Sequence, residues 1–370
     1  MMPQDAISLC YSRCLITNHR LIAVVDSTLP KEFSVALKGA LSLFIVGTHI
    51  SSLCQPDEAL LWLRVCNLLT PLALVFFFFL SGYGLMTQLR LRTLRTPTPI
   101  PSALWMGWLP RRLWGLIKPF LFFYPLAVLF LFIGFGFDHI PQALAQLKVN
   151  FIIWKVGIPG PLFVAWYLLE LMVLYVFFYI SFRYVRRWGR AVLVLVGLTL
   201  LLMLVAWQVG FGYYWLRYPL CFSVGVVYAI YERSIYKRVK ACRLICLAFT
   251  LLLGGVYIWS VQTFPNQPLV LLITSHLAYF ALPVMLTALS KVLGATDLFM
   301  RRAHGPVGSA LMWLGGISLE VYLLHMSFVS LYRSQMIYIQ SPVLFLIAVY
   351  ASSIFGAYLL ARYLRVLVRA

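Results

Sequence analysis

Two side chains eleven residues apart in an apolar stretch, Lys38 and His49, are the first in this sequence with chemistry to offer. In a helix, at about 100° per residue, they fall within roughly 20° of one face and stand roughly 16 Å apart along the axis. That distance is too long for direct Coulomb activation of the imidazole by the ammonium, so a ligand would have to join them. A cation at the rim and an imidazole deeper in suit a thin anionic molecule whose phosphates stay at the rim while its reactive end reaches His49. Coenzyme A has that shape. The pair also admits a structural reading, in which Lys38 snorkels to anchor its helix and His49 bonds a neighbouring helix.

Three further ionisable groups lie in apolar surroundings, where such side chains are costly and tend to face a bundle interior or a wet cavity: Glu170, Glu320 and His325. Glu170 follows Trp166 by one turn and could act as a proton carrier, a base for an acceptor, or an interhelical hydrogen-bond partner. Glu320 and His325 are five residues apart, about 140° around a helix, so they do not share a face. His325 shares one with Ser318 and Tyr322, and either lines a site or bonds within the bundle.

The elements that must position these groups are membrane helices. The chain has 370 residues, of which 62% are hydrophobic and only 11% charged, outside the range of soluble domains. Apolar windows of membrane-spanning length occur near 37–55, 67–87, 116–137, 162–182, 191–209, 214–231, 244–261, 269–290, 309–330 and 343–361. The expectation is an all-α, polytopic transmembrane bundle of about ten helices with both termini cytoplasmic. Placing the N-terminus inside leaves only Arg64, Lys148, Lys155, Arg217 and Arg333 outside, and the other 25 of the 30 Lys and Arg inside, which fixes the orientation.

The net charge of +20 does not point to nucleic acid, because the basic residues punctuate apolar runs and form no continuous stripe. Residues 1–36 carry Asp5, Asp26 and Glu32 and read as a cytoplasmic tail, not a secretory signal. Seven scattered cysteines, with no CxxC and no His at zinc-ligand spacing, indicate neither a disulfide framework nor a metal site. The outer loops are short except for 138–161, with its turn-rich Gly157-Ile-Pro-Gly-Pro161. The basic inner segment 88–115 contains Thr96-Pro-Thr-Pro-Ile-Pro101, expected to be extended, and could lie against anionic lipid or receive an anionic cytosolic ligand.

Five local patterns, in order along the chain, resemble the acyltransferase 3 family of bacterial integral membrane acyltransferases. The stretch Ala36-Leu-Lys-Gly-Ala-Leu-Ser-Leu-Phe-Ile-Val-Gly-Thr-His49 is similar to that family's opening motif, a basic residue followed after ten positions by His. Phe76-Phe-Phe-Phe-Leu-Ser-Gly-Tyr83 resembles its aromatic run closing on Ser-Gly-Tyr, and Arg111-Arg112-Leu-Trp-Gly-Leu-Ile-Lys-Pro119 its basic segment before a proline. At the position of a further Arg common in the family this chain has Gly115, with Lys118 following. Trp166-Tyr-Leu168 and Gly315-Gly-Ile-Ser-Leu-Glu-Val-Tyr-Leu-Leu-His325 complete the set.

The resemblance implies an acyltransferase-type transmembrane domain over 37–362, flanked by the tail 1–36 and a short cytoplasmic tail 363–370, in the bacterial inner membrane. It implies transfer of an acyl group, acetyl above all, from cytosolic acyl-CoA as co-substrate, with no permanently bound cofactor, to a hydroxyl of an envelope glycan or lipid-linked acceptor. His49 is then the catalytic base or nucleophile. Lys38, Arg111, Arg112 and Lys118 are the donor-binding cations, and Ser81, Tyr83, Trp166, Glu170, Tyr322 and His325 the lining candidates. A secondary transporter or flippase is the rival from another class, since buried Glu and His and Pro and Gly interruptions suit transport as well. The orientation has its own test: reporters fused after residue 100 and after residue 150 should read cytosol and exterior respectively, and the reverse would overturn it.

Overall fold

The computed structural model describes residues 29–54, 60–95, 105–263 and 268–367. Among them the chain is helical, with no strand beyond an isolated bridge between Arg333 and Tyr338. Its first half comprises α1 (Lys31–Ser51), α2 (Leu61–Arg95), α3 (Trp108–Phe135), a short α4 (Ile140–Ile152), α5 (Trp166–Tyr184) and α6 (Trp188–Val209). One turn at Tyr214–Arg217 leads into α7 (Leu220–Ala241), then α8 (Arg243–Thr263), α9 (Pro268–Val292) and a short α10 (Ala295–Arg302). The chain ends with α11 (Pro306–Gly316), α12 (Ser318–Leu331) and α13 (Pro342–Leu367).

Eight of these helices are long and apolar enough to cross a membrane, and nine if the bent pair α11–α12 counts as one span. The sixth expected window, 214–231, corresponds to α7, which falls short of that test. Its C-terminal half carries Glu232, Arg233, Lys237, Arg238 and Lys240, while its N-terminal half is buried against α2 and α9. The ninth window is the main correction. It is not one straight helix: α11 and α12 meet at Ile317 with a 73° bend.

Other differences are smaller. Helix α1 starts at Lys31, inside the expected tail, and α13 runs on to Leu367. Residues 1–28 and the proline-rich stretch 96–104 lie outside the described residues. The segment 138–161 contains α4, tied down where Tyr124 Oη and Trp154 Nε1 both donate to the Gly160 carbonyl, at 2.8 and 3.0 Å.

Helix ends and crossings follow from residue type. Gly210 closes α6 at φ +79°, a left-handed conformation that glycine adopts without a Cβ clash, and its N–H reaches the Ala206 and Trp207 carbonyls. Two pairs of glycines let backbones touch. A Cβ on Gly82 of α2 would overlap the Phe222 carbonyl of α7, and one on Gly225 of α7 would overlap the Phe79 carbonyl of α2. Likewise Gly39 of α1 faces Leu311 and Gly315 of α11, and Gly315 faces Val35. In a bilayer, where apolar surface gains nothing by leaving lipid, such close van der Waals approach is what holds helices together.

This crossing can be tested by overpacking. Gly82→Leu or Gly225→Leu should cost about 1–3 kcal/mol or more, read as a fall of several degrees in the unfolding temperature of the detergent-solubilised protein. Gly84→Ala, whose added Cβ meets nothing within 4 Å, is the control and should leave it unchanged.

Candidate active site

Between α1, α2, α3, α5 and α12 lies a partly open cavity of about 160 Å³. Its walls are apolar at Ile45, Leu74, Phe77 and Leu116, with a polar set formed by Lys38, Ser81, Tyr167, Tyr175, Ser318 and Tyr322. Lys38 and Ile45 are two helical turns apart on α1, about 10 Å, so that helix face forms one side of the cavity along its length. No carboxylate among the described residues pairs with Lys38. Ser318 and Leu319, the first residues of α12, also line the cavity, so the bend at Ile317 brings a helix N-terminus, with its partial positive charge, to the same wall as Lys38.

His49 stands one turn beyond Ile45, and His325 one turn beyond Tyr322. The structure brings these histidines together: their ring centroids are 5.1 Å apart and tilted by 41°. Tyr322 lies 5.9 Å from His325 by the same measure, and its hydroxyl donates to the Val164 carbonyl at 2.6 Å, tying α12 to the turn before α5. His49 is half-buried and its ring makes no hydrogen bond to any described residue. His325 is fully buried at 0% exposure, with Nδ1 3.3 Å from the Val321 carbonyl and Nε2 unpartnered. Glu170 is also 0% exposed, and neither carboxylate oxygen has a hydrogen-bond partner. It lies behind the wall formed by Tyr167 and Leu171, near Tyr322 and Cys221.

The basic residues of α3 separate. Arg112 is on the face of Leu116, one turn N-terminal to it; it donates to Gln88 Oε1 of α2, stacks over Trp108 at 5.9 Å and faces Tyr175 on the cavity wall. Arg111 is exposed and folds back on the chain, its Nε on the Gly107 carbonyl at 2.9 Å and its Nη2 on that of Met106 at 3.3 Å. Lys118 lies about 200° around α3 from Leu116, on the side away from the cavity. Gly115 faces open space.

Of the other lining candidates, Ser81 and Tyr322 are on the wall. Tyr83 is not: its hydroxyl donates to Glu232 Oε1 at 2.8 Å, joining α2 to α7 beside the Gly82–Gly225 crossing. Trp166 points away, stacked on Tyr214 at 5.0 Å and Tyr218 at 6.2 Å. Tyr167 and Tyr175, which the sequence reading did not single out, occupy the wall instead. Their spacing with Leu171, four and eight residues along α5, marks one helix face and is a signal that could have found them.

A partly open cavity with Lys38 on its wall, and a pair of imidazoles one turn beyond its lining residues Ile45 and Tyr322, can take a thin anionic molecule and offer its far end a base or a nucleophile. Among the described residues no three His, Cys, Asp or Glu side chains gather as a metal site. No curated protein and no solved structure matches the chain. A family model described as an acyltransferase domain matches residues 35–362, from just before Lys38 to the end of α13's apolar run, taking in every wall of the cavity and both histidines. The chain therefore belongs to the acyltransferase 3 family, a multi-pass membrane protein of acyltransferase type.

Proposed function

We propose that the protein transfers an acyl group, acetyl in the first instance, from cytosolic acyl-CoA to a hydroxyl of a cell-envelope glycan or lipid-linked acceptor, in the bacterial inner membrane. The observation that carries the reading is the alignment of one cavity with Lys38 at its inner end and His49 one turn past its other end. The roughly 16 Å between these residues along α1 suits the pantetheine arm of coenzyme A. The cavity is too small for the whole molecule, so the nucleotide and its phosphates stay at the cytoplasmic mouth, where Lys38, Arg112 and the N-terminus of α12 supply positive charge. The walls between are apolar and aromatic, matching an uncharged chain and excluding the water that would hydrolyse a thioester.

At the far end the acceptor hydroxyl oxygen attacks the thioester carbonyl. Neutral His49 takes the hydroxyl proton as the carbon–oxygen bond forms. The carbon–sulfur bond then breaks, and the imidazolium returns the proton to the departing thiolate, leaving an ester and free coenzyme A. In the covalent variant the imidazole nitrogen attacks the thioester carbonyl and expels the coenzyme A thiolate; the acceptor hydroxyl then attacks the acyl-imidazole, the carbon–nitrogen bond breaks, and the hydroxyl proton passes through the freed ring to the thiolate. Both require an uncharged ring, which apolar surroundings favour.

Protein reconstituted with labelled acetyl-coenzyme A and an envelope glycan preparation should pass label to the glycan. His49→Ala should lower that rate by about 100-fold or more while keeping its unfolding temperature. Wild-type transfer by a folded His49→Ala variant would remove His49 from the mechanism. A transporter would instead move solute across liposomes without consuming any acyl donor.

The donor-site argument has a separate readout. Lys38→Gln and Arg112→Gln should each raise KM for acetyl-coenzyme A about tenfold, the loss of one charge-assisted contact, with kcat nearly unchanged. Arg111→Gln should change KM little, because its guanidinium is engaged with the Gly107 and Met106 carbonyls.

A further inference from the structure

We propose that His325 is a positioning residue that fixes the tautomer of His49 through a ring-to-ring hydrogen bond. The inference rests on His49 being the base or nucleophile, and adds to it which nitrogen does the work and what decides that.

His325 Nδ1 lies 3.3 Å from the Val321 oxygen, with the Tyr322 carbonyl also close to the ring, and backbone carbonyls can only accept. Nδ1 therefore carries the hydrogen. In a neutral ring that leaves Nε2 as a lone pair, and this Nε2 is buried without any donor. An unmet acceptor at such a position is costly, more so in a bundle that water does not bathe.

One neighbour can meet it. The His49 ring centre is 5.1 Å from that of His325, and no described residue holds either of its nitrogens. Ring nitrogens lie about 1.2 Å from the ring centre, so an N–H···N bond of about 2.9 Å spans roughly 5.3 Å between centres. The observed separation is compatible with that bond once the His49 ring turns a nitrogen towards His325.

Once closed, the His49 nitrogen facing His325 carries the hydrogen, and the opposite nitrogen presents its lone pair to the reacting groups. When that nitrogen takes the acceptor's proton, the Nε2 lone pair of His325 continues to accept from the other and stabilises the imidazolium. The buried carboxylate of a serine hydrolase performs the same orientation of its histidine. Here a neutral ring backed by a helix carbonyl does so without placing a permanent charge inside the membrane.

The test combines spectroscopy with kinetics. In protein labelled with 15N-histidine, the six histidines being assigned by single substitutions, His325 should show hydrogen on Nδ1 and none on Nε2, and His49 a single neutral tautomer. Hydrogen on His325 Nε2 in the wild-type protein would overturn the proposal on its own.

His325→Phe keeps the ring volume and deletes the acceptor. It should leave a tautomer mixture at His49 and lower kcat by about 100-fold with KM for acetyl-coenzyme A unchanged. His325→Gln, whose side-chain oxygen replaces the Nε2 acceptor, should restore most of that loss. A single unchanged His49 tautomer in His325→Phe, or wild-type kcat in that variant, sinks the idea. Wild-type activity in His49→Ala would overturn the base assignment instead, a result that the tautomer measurement on His325 keeps separate.

Discussion

The contact between α1 and α11 governs the site. Gly39 and Gly315 allow the two backbones to touch, and no larger side chain fits at either position. Because α12 follows α11 after a single bent residue, this contact also sets the height of α12 beside α1. Ser318 then lies on the same wall as Lys38, Tyr322 on the same wall as Ile45, and His325 against His49. Two helix faces with the spacings 38–45–49 and 318–322–325 run side by side, and the cavity is the space between them and α2, α3 and α5.

The cavity's polarity follows from what a bilayer permits. Backbone polar groups must be satisfied within the protein, so a helix can be broken only where it lines a cavity or is enclosed by neighbours. The break at Ile317 does both: it sits in the bundle interior, 1% exposed, and opens the first turn of α12 to the cavity. Charge on the cavity wall is confined to Lys38, and the other polar groups at the site are hydroxyls and imidazoles, which cost less to desolvate than ions. Glu170 is the exception, a fully buried carboxyl group without a hydrogen-bond partner directly behind Tyr167 and Tyr322.

The aromatic and glycine-rich run of α2 serves several purposes in a few residues. Phe77 and Ser81 face the cavity, Gly82 admits the backbone of α7, and Tyr83 reaches Glu232 on that helix. One motif thus joins the wall of the site to the crossing that holds it. That explains why Ser81 and Tyr83, two residues apart, have separate roles: two steps of 100° place them on different faces.

The sequence alone determined the class of the protein, its approximate helix number, and the shared face of Lys38 and His49. These depend on composition and on the period of a helix, which are local properties. It also carried the resemblance that the family match bears out over residues 35–362. Only the tertiary structure decided which of the adjacent Arg111 and Arg112 approaches the cavity, that Tyr83 bonds Glu232, that Trp166 stacks on Tyr214, and that His49 meets His325 from 276 positions away along the chain. Helical periodicity states which residues share a face, but the partner of that face depends on how close two backbones can come, and in this protein that was settled by glycines whose neighbours lie on other helices.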